Sequence, residues 1–153
     1  MTETFILFVV AGTTYALRSH EVAHVEMLEQ VTPVPNAASC VDGVVFSRGQ
    51  VVPALNLRAR FGFERAAYDV RTRLLVVQSE GRVVGLVADS AREFVRLDPA
   101  AIRPPGSGLG ALSGTYIEGV VNVNDRLIVI LTLSEVLGFT DPARLPGAGI
   151  EVQ

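Results

Sequence analysis

Active sites are mostly assembled from histidine, cysteine, serine and paired carboxylates, and this chain is sparing with them. Its two histidines, His20 and His24, are four positions apart. On a helix that spacing would align both rings and allow them to share a metal ion. Val22 and Val25 favour a strand instead, which spreads the rings far apart along one face, and no third ligand suggests itself. Cys40 is the only cysteine, which excludes an intramolecular disulfide and a cysteine-based metal site. It reads as a small apolar residue. The serines show no strand-turn-helix nucleophile pattern. The carboxylates are scattered over turns and caps, where they make structural sense. Arg103 to Thr115, RPPGSGLGALSGT, superficially imitates a phosphate-cradling loop. Such loops need a strand before and a helix after, whereas Pro104-Pro105 precede this one and a strand follows it. A mobile surface loop is the expected reading. No cofactor, no metal and no hydrolase, transferase or nucleotide-binding activity is expected, so the chain reads as a binding module and not an enzyme.

The arginines remain. Five lie from Arg58 to Arg73, interrupted by Glu64 and Asp69. They read either as an anion-binding patch or as a solvated connector between two halves, and the second is expected because charge runs are usually solvated faces. Arg48 is different. It stands in Ser47-Arg48-Gly49-Gln50, between the apolar runs Gly43–Phe46 and Val51–Leu57. The Gly permits a tight reversal, so Arg48 is placed at a hairpin tip, displayed and not packed.

The elements that must position it recur. Asp42 to Phe63 reads as strand, turn, strand and short helix, and Glu118 to Phe139 repeats it without a gap. Gly43 and Gly119, Val44 and Val120, Val45 and Val121, Leu55 and Leu131, Leu57 and Leu133, and Gly62 and Gly138 coincide. A weaker echo precedes each copy: Phe5–Phe8, Gly12 and Tyr15–Leu17 against Leu74–Val77, Gly81 and Val84–Leu86. Turns are expected at Gly12-Thr13, Glu80-Gly81 and Asn124-Asp125. Val22 to Met27 alternates, with Val22 and His24 on one face and Ala23, Val25 and Met27 on the other. Asp98-Pro99 starts one helical turn, Ser134 caps another, and Asp141-Pro142 opens a short C-terminal helix. About ten short strands with little helix point to two related all-β halves of a sandwich or small-barrel fold.

Composition agrees. The 153 residues are 49% hydrophobic and 19% charged, enough for a proper core. The net charge of −3 argues against general nucleic-acid binding. All 13 basic residues are Arg, from which no function is read. No apolar run reaches membrane-span length, and Glu3 with no basic residue before Phe5–Val10 argues against a signal peptide. A soluble cytoplasmic protein is expected.

Over Phe5 to Phe139 the sequence resembles the CheW-like coupling proteins of bacterial chemoreceptor arrays. The family's central pattern, Gly-Val-x-Asn-Leu-Arg-Gly, then Val-Pro, Asp-Leu-Arg and Phe-Gly, stands here as GVVFSRGQVVPALNLRARFG. Its second-half pattern stands as TYIEGVVNVNDRLIVILTL. Phe46-Ser47 replaces Asn-Leu, Asn56 replaces the common Asp, and His24 occupies a position where the family has Glu. The resemblance implies an all-β fold of two five-stranded, SH3-like β-barrels around a shared hydrophobic core. It implies one domain over 3–141, with subdomains at about 15–66 and 72–135, the N-terminal strand crossing over, and a tail at 142–153. It implies a non-enzymatic scaffold that couples the cytoplasmic tip of a chemoreceptor (methyl-accepting protein) to the regulatory domain of a CheA-type histidine kinase in two-component signal transduction. No nucleic acid and no direct membrane insertion are expected, and arrays would be reached through protein partners. The expected receptor- and kinase-binding residues are Val22, Gly43, Val44, Phe46, Arg48, Gly49, Gly85 and Gly119. Val22, Val44 and Phe46 would floor the receptor groove, and the kinase contact is expected around Val83–Ala88 and Tyr116–Val123. A small-barrel ligand- or nucleic-acid-binding module is the alternative.

Overall fold

The computed structural model describes residues 1–28, 30–105 and 116–138. The expected glycine-rich loop (from residue 106), the expected C-terminal helix and the tail lie outside them.

Ten strands fill the described chain: β1 (Glu3–Val10), β2 (Thr13–Arg18), β3 (Val22–Met27), β4 (Val41–Ser47), β5 (Gln50–Asn56), β6 (Arg73–Ser79), β7 (Arg82–Ala88), β8 (Ser90–Leu97), β9 (Ile117–Val123) and β10 (Arg126–Leu131). One-turn helices α1 (Leu57–Arg60) and α2 (Leu133–Val136) follow β5 and β10. Four two-residue turns have positive φ at both positions: Ala11-Gly12, Arg48-Gly49, Glu80-Gly81 and Asn124-Asp125. That geometry matches the twist of the strands it joins. The first turn is one residue earlier than the expected Gly12-Thr13. A 3-10 turn at Pro99–Ala101 follows Asp98, whose side chain accepts from Ala100 N. Thr132, not Ser134, occupies the N-cap of α2, with no side-chain cap bond.

The strands form two five-stranded sheets, ordered β8-β1-β2-β10-β9 and β3-β6-β7-β5-β4. This corrects the division at residues 66–72. Each sheet takes a hairpin from one repeat and three strands from the other, so β1–β2 and β6–β7 are exchanged. The sequence echoes fall on topologically equivalent strands: β1 with β6, β2 with β7, β4 with β9, β5 with β10. In each sheet one parallel pairing joins the exchanged hairpin to the rest, β2 with β10 and β7 with β5. Neither half can complete its sheet alone.

Exchange makes both faces of the central strands apolar. Phe5, Leu7, Ile128 and Ile130 point into the first sheet's own core. Leu74, Val76, Val52 and Ala54 do the same in the second. The alternate residues Ile6, Phe8, Leu17, Leu55, Leu75, Val77, Leu86, Val129 and Leu131 meet in a third core shared by both sheets. β10 is buried on both faces over Ile128–Leu131, while Leu127 is half-exposed.

The arginine-rich connector is neither a free anion patch nor merely solvated. Arg58 makes a bidentate pair with Asp89, 2.9 Å from Nε to Oδ1 and 2.8 Å from Nη2 to Oδ2. Asp89 lies where the chain crosses from one sheet to the other, and also accepts from Ala11 N at 2.8 Å. Arg60 stacks on Tyr116, bonds its hydroxyl and donates to Val136 O at 2.8 Å, while Arg82 donates to Leu137 O at 2.8 Å. Two guanidinium groups thus satisfy carbonyls at the end of α2. Arg65 reaches Asp42 Oδ1 at 2.8 Å and Ser39 O at 2.6 Å.

Candidate partner-binding surface

The β4–β5 hairpin is built so that its base is rigid and its tip is open. At the base, Thr32 and Val44 exchange backbone bonds of 2.9 and 2.8 Å, bringing two chain segments together beside Gly43. Gly43 has φ +150°, and a Cβ there would sit well inside van der Waals contact of the Thr32 carbonyl. Asn56, buried at the far end of β5, caps α1 by accepting from Ala59 N at 3.1 Å and donates to Asp42 Oδ2 at 2.8 Å. An Asp at 56 could not make that second bond and would set two carboxylates against each other, so Asn suits a site that already holds Asp42.

At the tip the pattern inverts. Phe46 and Val51 face each other across the strand pair and are 74% and 63% exposed. Arg48 is exposed at φ 46° and Gly49 follows at 84°. Among the described residues the Arg48 guanidinium makes no hydrogen bond, although its charge acts on Glu26. A cavity of about 300 Å³ opens beside the hairpin, lined by Glu26, Met27, Thr32, Val44, Phe46 and Leu74 among others. The exposed apolar pair Phe46 and Val51 next to a displayed guanidinium has the composition of a protein-binding surface, in which an aromatic and an Arg supply the anchors.

The expected site residues divide accordingly. Phe46, Arg48 and Gly49 are together at the tip, while Val44, bridged to Thr32 toward the base, lines the adjoining cavity. Val22 is not. A register irregularity between Val22 and His24 places Val22 and Val25 against the shared core, so the strict alternation expected of β3 fails and Val22 does not floor the groove. Gly43 and Gly119 are buried at equivalent seams. A Cβ on Gly119 would lie 2.5 Å from Arg103 O, where Arg103 and Val120 exchange backbone bonds. Gly85 is buried in β7, where a Cβ would lie 2.7 Å from Leu74 Cδ1. These three glycines hold the fold and offer no surface. The expected kinase stretches separate as well. Val84–Ala88 are buried in a central strand of the second sheet, whereas β9 is an edge of the first, with Glu118 and Asn122 exposed.

Sequence reading missed one group. His24 Nε2, Glu26 Oε2 and Ser47 Oγ form a hydrogen-bonded cluster under the tip. The signal was present in the polar residues at 24, 26 and 47, but the bulge that turns 24 and 26 toward Ser47 was not visible.

Comparison with known families matches residues 4–140 to the CheW-like domain. The chain belongs to the CheW-like family. CheW-like relatives include the chemotaxis protein CheW of Klebsiella aerogenes, 26% identical over 92% of this chain and 85% of that protein. Others are CheW of Helicobacter pylori, 31% identical over 87% and 80%, and protein FrzA of Myxococcus xanthus, 32% identical over 88% and 85%. The crystal structure of the scaffolding protein TtCheW from Thermoanaerobacter tengcongensis superposes with a TM-score of 0.83, covering 92% of this chain and 95% of that one at 24% identity. CheW-like proteins are chemotaxis coupling proteins, and this chain is an adaptor in chemosensory signal transduction. No helix among the described residues is long and apolar enough to cross a membrane.

Proposed function

We propose that the chain is a non-catalytic bridge holding the cytoplasmic tip of a chemoreceptor against the regulatory domain of a CheA-type histidine kinase. On this reading it joins membrane-bound arrays through those partners alone. The β4–β5 tip is the receptor contact and the exposed edge strand β9 is the main kinase contact. The observation that carries the proposal is the exposed trio Phe46, Arg48 and Val51 on a hairpin whose base is locked by Gly43. Recognition of a receptor helix in a groove needs an apolar floor with a polar anchor beside it. Arg suits the anchor because its planar fork can bind a carboxylate or several carbonyls at once. β9 is bridged on its outer side by Arg103 at Val120, and its exposed Glu118 and Asn122 side chains offer a polar contact surface beside that bridge.

The test is binding by calorimetry to a soluble receptor cytoplasmic fragment and, separately, to the kinase regulatory domain. Phe46→Ala is expected to weaken the first and spare the second, and Asn122→Arg, which puts a charge on the exposed face of β9, to do the reverse. Equal loss of both partners in each variant would refute separate surfaces.

A further inference from the structure

The turn that displays Arg48 has no backbone partner on its outer side among the described residues. β3 and β4 are the two edges of the second sheet, and the described backbone bridge across that seam is at Thr32 and Val44, toward the base. At the turn the seam is closed by side chains. Ser47, 2% exposed, donates from Oγ to Glu26 Oε2 at 2.5 Å. His24 Nε2 lies 2.7 Å from the same oxygen and 3.1 Å from Ser47 Oγ. An ionised carboxylate only accepts, and the Ser47 hydrogen is already committed to it. The hydrogen between ring and carboxylate must therefore be carried by Nε2.

The arrangement depends on the β3 register shift, which turns His24 and Glu26 toward Ser47 while Val22 and Val25 pack against the shared core. Glu26 gathers every charge-favouring contact of the cluster. Burial pushes its carboxyl up, but the bonds from Ser47 and His24 and the charges of His24 and Arg48 hold it below its ordinary value. The equivalent hairpin at β9–β10 has Val123 and Asn124 in place of Ser47 and Arg48, so the polar seam accompanies the displayed guanidinium and is not a requirement of the hairpin fold.

We propose that His24 is a positioning residue for Arg48: by donating from Nε2 to Glu26 it fixes the carboxylate that clamps Ser47, the residue before the turn, and so sets where the guanidinium is presented to the receptor. The proposal rests on the receptor-contact reading of the tip. It requires a donor at position 24, not a histidine as such. His24→Leu keeps bulk and loses the donor, whereas His24→Gln keeps an N–H.

The experiment uses the full chain and two readouts. One is the Arg48 Nε–H resonance in a ¹⁵N–¹H spectrum, assigned by its disappearance in Arg48→Ala, which needs no partner. The other is affinity for the receptor cytoplasmic fragment. His24→Leu is expected to move the resonance and weaken binding by about three- to ten-fold, the size of one net hydrogen bond, and His24→Gln to restore most of it. Ser47→Ala releases the same clamp from the other side and serves if His24→Leu fails to fold. Wild-type resonance and affinity in both His24→Leu and Ser47→Ala would overturn the proposal. So would equal losses of affinity and melting temperature in the Leu and Gln variants, which would make the cluster a structural plug. If the resonance moves but Arg48→Ala binds the receptor fragment normally, the positioning role stands and the receptor reading of the tip fails.

Discussion

The β4–β5 and β9–β10 hairpins are the same backbone used twice. Each begins at a buried glycine pressed against a neighbouring carbonyl, Gly43 at Thr32 and Gly119 at Arg103. Each turns through two residues of positive φ, and each ends in a one-turn helix whose first leucine, Leu57 or Leu133, is buried. The tips differ. Phe46, Arg48 and Val51 on the first correspond to Asn122, Asn124 and Leu127 on the second. The cross-strand pair Phe46–Val51 is exposed and wholly apolar, whereas Asn122–Leu127 is half polar. Asn124-Asp125 is also the composition a turn with two positive φ values prefers, while Arg48 adopts φ 46° against its preference. The second tip is chosen for the turn, and the first displays residues that the turn itself does not favour. Shared backbone marks the structural part of the repeat, and the two copies diverge at the tip, where the proposed receptor contact lies.

The comparison breaks at its base if the glycines are not equivalent. Gly43→Ala and Gly119→Ala are each expected to cost on the order of 3–5 kcal/mol by urea denaturation, because a Cβ at either site must displace backbone. A loss at one site and not the other would end the equivalence. At the tips the expectation is asymmetric. Arg48→Ala should lower receptor-fragment affinity by about 1–3 kcal/mol with little change in melting temperature, and Phe46→Asn with Arg48→Asn, which copies the second tip onto the first, should lose more. Leu127→Asn on the second hairpin should leave receptor binding unchanged, as measured by the same calorimetry. A fall in melting temperature with intact affinity in Arg48→Ala would make that residue structural.

The smallest effects concern carboxylates. Glu26 and Asp89 are held below their ordinary values by hydrogen bonds and neighbouring positive charge, which outweigh burial. Their contribution to stability is complete above the unfolded carboxylate range of about 4 and is lost as pH falls through the lower folded values. Glu21 is the opposite case. Burial raises it, and its Oε1 has no hydrogen-bond partner among the described residues. The folded state therefore resists its ionisation, and stability is lost as pH rises through the folded value. Glu21→Gln should raise the melting temperature at pH 7, and Glu26→Gln should lower it. Melts at pH 4 and pH 7 check both, since each difference should shrink at the lower pH.

Local chemistry made much of this protein legible in its sequence. Alternating β-branched runs specified the strands, Gly and Asn-Asp pairs specified three of the four hairpin turns, and the recurrence of Gly43 as Gly119 specified two related halves. These are short-range choices, set by which side chains tolerate a pleat or a positive φ. Arg48 could be placed at a tip for the same reason. The tertiary structure alone decided which strands share a sheet, because the exchanged hairpins satisfy the same alternation wherever they pair and no local pattern distinguishes the two partners. It also decided that Arg58, Arg60 and Arg65 are internal ties, since their partners Asp89, the end of α2 and Asp42 are distant in the chain or across a sheet. The register shift in β3 is the clearest case. One irregular residue set Val22 against the shared core and turned His24 and Glu26 toward Ser47, because in a period-two element a shift of one position exchanges the faces of everything beyond it.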